Sequence, residues 1–152
     1  MKSMAGMACM AAIALGLLAS PVAAADQSYL GVWTITTSQP APWAAADVKP
    51  VASDLKALMH KQLVFSADRI KAPRPLNCKR PNYELKAYSA DMIFQGGLTD
   101  PAKQAAALGY KDATIPTLET GCEGAIDFHF LDQNTAMFAL NNWLYKLEHK
   151  KP

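Results

Sequence analysis

Hydrophobic and polar residues alternate along most of the chain after residue 28, and this two-residue period predicts strands with one buried face. The pattern is clear at residues 29–37 (YLGVWTITT), where Gly31, Trp33 and Ile35 share a face. Seven further segments show it: residues 61–66, 69–72, 82–89, 113–120, 124–130, 135–140 and 143–148. Most of the chain is therefore expected to be β-sheet.

Helix is predicted at two places between these strands. A short helix is expected at residues 54–60, after a proline-rich loop at residues 38–53. A clearer one is expected at PAKQAAAL, about residues 100–108, because Pro101 suits its first turn and Gly109 suits its end. Thr99 or Asp100 is the expected N-cap of this second helix.

The closing third of the chain predicts consecutive hairpins. Residues 131–134 form a tight connection, and Asn141-Asn142 suits the positive φ angles of a type I′ turn. Consecutive hairpins make an antiparallel meander, and about eight strands are enough for a small sheet to close on itself. We expect a mainly β fold, with the meander closing into a small barrel and the helix at about 100–108 inserted.

The first 25 residues have the pattern of a cleavable secretory signal. Lys2 precedes an apolar stretch from Met7 to Ala19, and Pro21 precedes the small residues Ala23-Ala24-Ala25. We expect a mature domain at residues 26–152, located in the periplasm or secreted. No later segment has the length of a membrane-spanning helix, so the mature protein is expected to be soluble and not embedded in a membrane.

Cleavage would remove Cys9 and leave Cys78 and Cys122 as the remaining cysteines. Exported compartments are oxidising, which favours a disulfide between the two. Their separation of 44 residues is far from the C-x-x-C spacing of a catalytic thiol pair. We therefore expect a structural Cys78–Cys122 bridge.

Composition restricts the classes of partner and cofactor. Removing 25 of 152 residues leaves 127, a length that suits one domain. The formal net charge falls from +2 to +1 with the loss of Lys2, so nothing indicates a nucleic-acid partner. No catalytic motif, metal-ligand spacing or cofactor motif is present, and an enzyme remains an open alternative without a positive sign.

The Gly31-Val32-Trp33 sequence on the first strand resembles the G-x-W opening of lipocalin-like (calycin) barrels. The resemblance covers this strand and, loosely, the closing meander. It implies that Trp33 closes one barrel end under a cationic side chain from near the last strand, here Lys146 or Lys150. Small secreted bacterial protease inhibitors share a comparable barrel with one disulfide, so inhibition is an alternative by fold analogy.

Aromatic residues are the candidate ligand contacts. Trp43 lies in the first proline-rich loop, where an aromatic side chain either covers a barrel mouth or plugs it. Four others are expected to point inward, where they either fill the barrel or line its pocket: Trp33, Tyr83, Trp143 and Tyr145.

Asp127 and His129 form a polar pair on one strand, alternating with Ile126, Phe128 and Phe130. Such a pair suits acid–base or metal chemistry. A solvated outer face of a half-buried sheet explains it equally well, and no third ligand is evident in the sequence. No metal site and no catalytic residue is therefore assigned.

Four cations lie close together in the second proline-rich loop: Lys71, Arg74, Lys79 and Arg80. A rigid cationic loop suits an acidic protein partner, whereas a plain solvated loop carries the same charges without a partner. The leading expectation is an exported binding protein that takes a small apolar or amphipathic ligand in a lipocalin-like barrel. The alternative is a protein–protein interaction module, such as an enzyme inhibitor or an envelope factor, that uses the loop at residues 71–80.

Overall fold

A computed structural model describes residues 27–150 and contains one curled antiparallel sheet of nine strands. The expected secretory signal at residues 1–25 lies outside the described residues. The strands are β1 (Gly31–Pro40), β2 (Gln62–Ser66), β3 (Arg69–Lys71), β4 (Cys78–Lys79), β5 (Glu84–Tyr88), β6 (Ile115–Glu119), β7 (Phe128–Asp132), β8 (Thr135–Leu140) and β9 (Trp143–His149). Their order across the sheet is β4-β3-β2-β1-β9-β8-β7-β6-β5. The predicted mainly β class is confirmed, and the sheet forms a half-barrel.

The concave face of the half-barrel is filled by side chains. Trp33, Phe128, Phe138 and Tyr145 are among its fully buried members, and their rings pack edge-on or stacked on one another and on Phe65. Packing of this kind supplies the hydrophobic stabilisation of the sheet. The inner face is therefore the main core of the fold.

The convex face is also buried, because the chain between β5 and β6 folds back over it. This segment contains a short 3₁₀ turn at Ile93–Gly96 and helix α2 at Pro101–Leu108. Ile93 and Leu108 pack with Met137 and Leu144 of the sheet in a second hydrophobic cluster. A sheet covered on both faces explains why polar positions of the alternation, such as His129, become buried.

Helix α2 ends where the sequence predicted. Pro101 occupies the first turn, and Gly109 has φ 100° at the C-cap, where Tyr110 N–H donates to the Ala105 carbonyl at 3.1 Å. Asp100 is the N-cap residue, but its side chain makes no capping bond. Instead, Gln104 Oε1 accepts the N–H of Asp100 at 3.0 Å.

Two elements of the first third extend beyond their predicted bounds. Helix α1 spans Ala52–Leu58, two residues earlier than expected. Strand β1 continues to Pro40 and pairs with β9 on both sides of a bulge between Ile35 and Thr37. The loop predicted to begin at residue 38 therefore begins at residue 41.

The two edges of the half-barrel are linked covalently and by hydrogen bonds. Cys78 on edge strand β4 forms the predicted disulfide with Cys122, which follows β6. Tyr83 O–H donates to the Ser66 carbonyl at 3.0 Å, and Asn82 N–H donates to the Thr120 carbonyl at 2.8 Å. The chain between β4 and β5 thus crosses the gap that an unclosed barrel leaves.

The side chain that lies over Trp33 is neither of the two expected lysines. His149 stacks on the indole with ring centroids 4.6 Å apart and an interplanar angle of 12°, and it pairs with Trp33 in the β1–β9 ladder. Lys146 lies near Leu144 and Met137 on the convex face, 3.4 Å from Glu148. Lys150 contributes a backbone N–H to the Val32 carbonyl at 2.8 Å.

Candidate functional site

A groove of about 400 Å³ opens at the end of the sheet where β8 turns into β9. It lies between the loop after β1, the 3₁₀ turn, the β6–β7 connection and the β8–β9 turn. Its lining consists of Trp43, Pro75, Phe94, Gln95, Gly97, Gly124, Ala125, Ile126, Asp127, His129, Ala139, Leu140, Asn141 and Asn142. A concave site of this size with a few polar groups is suited to a small ligand.

Trp43 forms one wall and is held on several sides. Its indole N–H donates to Asn142 Oδ1 at 3.1 Å, and its ring lies 5.7 Å from that of Phe94. The ring also packs against Gly97, where a Cβ would come within 3.0 Å of indole carbons. The absence of a side chain at residue 97 therefore allows the indole to lie flat on the 3₁₀ turn.

The wall formed by the 3₁₀ turn next to Trp43 and by the β6–β7 connection contains three residues with left-handed backbone conformations. Phe94, Gln95 and Ala125 have φ angles of 51°, 58° and 46°. Such angles are unfavourable for residues other than glycine, so surrounding contacts must impose them. One such contact is the bond from Gln95 Nε2 to the Ala125 carbonyl at 2.9 Å, which ties the two segments together.

His129 lies beneath this wall as a buried neutral imidazole. Nε2 accepts the N–H of Phe94 at 3.0 Å, so the ring proton is on Nδ1, which donates to Thr117 Oγ1 at 2.9 Å. Burial lowers the pKa of His129 to about 3. Because both nitrogens are occupied, the imidazole supports the 3₁₀ turn and is not available as a base or a metal ligand.

Asp127 places a half-buried carboxylate in the groove. Its pKa is raised, first by burial and then by the negative charge of Glu119, while the ammonium of Lys86 acts in the opposite direction. Lys86 Nζ lies 2.7 Å from Glu119 and 3.2 Å from Glu84. The positive charge nearest Asp127 is therefore shared between two other carboxylates.

The floor at the open end is the β8–β9 turn. Asn141 and Asn142 have φ angles of 51° and 59°, as the sequence predicted for a type I′ turn. Asn141 Nδ2 donates to Asp54 of α1 at 2.6 Å, and the Asn142 carbonyl accepts the N–H of Ala41 at 3.0 Å. The turn is thus fixed to both α1 and the loop that carries Trp43.

Of the five aromatic residues proposed from sequence as ligand contacts, Trp43 alone lines this groove. Trp33 and Tyr145 are fully buried on the concave face, where Tyr83 and Trp143 pack against the same cluster. Trp143 Nε1 is buried and has no hydrogen-bond partner within residues 27–150. The structure therefore separates Trp43 from the other four.

The simpler sequence interpretation placed Asp127 and His129 on a solvated face of the sheet. The structure does not place them there. Strand β7 begins at Phe128, so Asp127 belongs to the preceding connection, and the 3₁₀ turn covers His129. Phe94 and Gln95 were missed as site residues. The adjacent pair Gly96-Gly97 was the available signal, since it marks a turn at this point.

The four cations of the second proline-rich loop are all exposed and none of them lines the groove, although Arg74 directly precedes the lining residue Pro75: Lys71, Arg74, Lys79 and Arg80. Within residues 27–150 none of them forms an ion pair. The described residues also contain no cluster of three or more histidine, cysteine, aspartate or glutamate side chains placed to hold a metal ion.

Comparisons with protein-family models, with curated proteins and with solved structures found no match to this chain. Among residues 27–150, no helix has the length and apolar character needed to cross a membrane.

Proposed function

We propose that this chain is an exported binding protein that takes a small amphipathic ligand in the groove beside Trp43. The observation that carries the proposal is the groove itself, which combines two aromatic rings, a carboxylate and side-chain amides in one concave site. Apolar walls with a few convergent polar groups are the usual composition of a ligand site.

The groove is supported from several elements, which favours binding without large rearrangement. Asn142 holds Trp43, Gln95 holds the β6–β7 connection, and His129 holds the backbone of Phe94. A preformed site loses little conformational entropy when a ligand enters. The imidazole of His129 has no free nitrogen, because Phe94 uses Nε2 and Thr117 uses Nδ1, so we propose binding and not catalysis.

The groove also replaces the barrel interior as the proposed ligand site. We infer a lipocalin-like arrangement from Gly31-Val32-Trp33 and the curled sheet, yet the concave face is occupied by large buried side chains such as Phe138 and Tyr145. A ligand at the end of the sheet needs no displacement of this core. Export is part of the proposal because the Cys78–Cys122 bridge suits an oxidising compartment.

Titration of residues 26–152 with a neutral environment-sensitive dye, Nile red, tests the proposal by fluorescence and by NMR chemical-shift mapping. We expect shifts at Gln95, Ala125 and Asn142, and weaker binding by Trp43→Ala. Leu85→Ala is the matched control, since Leu85 is 39% exposed and lies outside the groove. Shifts confined to the concave residues Phe128 and Phe138, or equal binding by both variants, would contradict the proposed site.

A second candidate is an interaction module that binds an acidic protein through the loop at residues 71–80. It is favoured by the four exposed cations that have no ion pair within the described residues and by the Cys78–Cys122 bridge beside them. Exchanging Arg74 and Arg80 for glutamate should abolish capture of an acidic partner from the same compartment. Unchanged capture would remove this candidate.

A further inference from the structure

The lining of the groove contains one charged group, and that group is negative. Asp127 is the one carboxylate in its lining, and no lysine or arginine lines it. His129, the other titratable side chain there, is neutral and has both nitrogens occupied. The charge carried by the lining residues is therefore that of one carboxylate, and Arg74, which precedes the lining residue Pro75, is not among them.

Asp127 has no partner that neutralises it. Within residues 27–150 its carboxylate takes part in no hydrogen bond and no ion pair within 4 Å. Lys86 is engaged by Glu84 and Glu119 through ion pairs of 3.2 and 2.7 Å, so its ammonium is shared by these two carboxylates and acts on Asp127 only at longer range. Half-buried carboxylates without partners are costly, and a cation that binds beside one reduces that cost.

The two rings of the groove add a second attraction for positive charge. Trp43 and Phe94 lie 5.7 Å apart with an interplanar angle of 41°, and Trp43 is only partly buried. The faces of aromatic rings attract ammonium groups through their quadrupoles, tryptophan most strongly. Aromatic walls beside a carboxylate form the combination that recognises organic cations.

We propose that the ligand is a small organic ammonium compound, an amine or quaternary amine attached to a flat or short apolar group. The ammonium lies beside Asp127, and the apolar group packs on Trp43 and Phe94. An anionic ligand would place like charge beside Asp127, which disfavours it. This assignment rests on the proposed function, because it names the ligand class of the same groove.

Three probes with the same ring test the ligand charge: 2-phenylethylammonium, 2-phenylethanol and phenylacetate. Calorimetry and NMR mapping on residues 26–152 should give the amine at least about tenfold tighter binding than the alcohol, with phenylacetate the weakest. In Asp127→Asn most of the preference for the amine should be lost, and what remains is the share that the rings of Trp43 and Phe94 supply. Asp127 makes no bond in the fold, so this variant is expected to fold normally.

Glu123→Gln is the matched control, since it removes one exposed carboxylate near the groove that does not line it. It should retain the preference for the amine. Equal affinities for amine and alcohol in the wild type, or no binding of the amine, overturn the ammonium assignment, while Nile red binding in the groove leaves the binding function standing. Loss of the dye signal as well overturns both proposals.

Discussion

Gly31 lacks a side chain at the point where the imidazole of His149 lies over the indole of Trp33. A Cβ at residue 31 would sit 2.7 Å from Nε2 of His149, and Gly31 has φ 125°. The indole beneath is fixed by its own N–H, which donates to the Tyr29 carbonyl at 2.8 Å. The glycine of the G-x-W sequence is thus explained by both the ring stacked above Trp33 and its backbone angle.

Replacing Gly31 with alanine should destabilise the fold by about 1–3 kcal/mol, because the new methyl collides with His149 and the backbone angle is unfavourable. Chemical denaturation measures the loss. Gly124→Ala is the control for the backbone term alone, since Gly124 has φ 90° and open space around its Cβ position. It should lose about 1 kcal/mol. Equal losses in the two variants would show that the contact with His149 contributes nothing.

The double variant Gly31→Ala/His149→Ala isolates the contact itself. If the collision is real, alanine at residue 31 should cost less once the imidazole is gone, and the two substitutions should not be additive. Strict additivity in denaturation experiments would assign the whole cost of Gly31→Ala to its backbone angle.

Removing the Cys78–Cys122 bridge should lower stability by roughly 4 kcal/mol, the chain-entropy value for a loop of 44 residues. The bridge joins the two edge regions of the half-barrel, so its removal is expected to let both edges separate more easily. Denaturant midpoints of Cys78→Ser/Cys122→Ser and of oxidised wild type give the difference. Reductant should leave the double variant unchanged, and a loss below about 1 kcal/mol would mean that Tyr83 and its neighbours close the gap without the bridge.

Local signals in the sequence were sufficient for eight of the nine strands, the second helix and the disulfide, whereas the two-residue strand β4 was predicted as loop. Pro101 and Gly109 mark the ends of α2, and Asn141-Asn142 marks a turn, because each residue type favours the backbone angles found there. The bridge was predicted from the two cysteines that would remain after cleavage of the expected signal and from the oxidising compartment that such a signal implies. The helix ends and the turn depend on residues that are neighbours in sequence, and the disulfide depends on the number of cysteines in the chain. None of these predictions requires knowledge of which strands and helices pack together.

The walls of the groove could not be predicted from local sequence signals. Phe94 and Gln95 adopt left-handed angles that their residue types disfavour, and the contacts that hold them come from His129 and Ala125, about thirty-five and thirty residues further along the chain. The G-x-W resemblance implied a lysine above Trp33, where the structure has His149. Strand alternation places His149 on the same face as Tyr145 and Leu147, and Lys146 on the other.

Acid should destabilise the fold through His129. Its pKa is lowered from 6.5 to about 3, so the unfolded chain binds a proton that the folded chain excludes. The stabilisation is fully present above pH 6.5 and falls as the pH drops toward 3, with a slope of up to about 1.4 kcal/mol per pH unit.

Denaturation at pH 6.5, 5.5 and 5.0 measures this slope at pH values above the ordinary pKa values of carboxyl groups. His129→Gln should flatten it, although this variant is less stable at every pH because Thr117 and Phe94 lose a partner. His60→Asn is the control, since His60 is exposed and asparagine tolerates its φ of 61°. A slope that persists without His129 would assign the acid sensitivity to other groups.

Replacing Gly97 with alanine should weaken ligand binding more than it weakens the fold. Its φ of −71° allows alanine, but the new methyl would lie 3.0 Å from two carbons of the Trp43 ring. Since Trp43 is partly exposed, the indole can tilt into the groove, and we expect about tenfold weaker Nile red binding for a stability loss of about 1 kcal/mol. The methyl would also lie 3.1 Å from the Phe94 carbonyl. In a Trp43→Ala background the same substitution should cost little further dye affinity if the indole is the group that it displaces. An undiminished loss in that background would assign the effect to the Phe94 backbone or to a direct contact between residue 97 and the ligand.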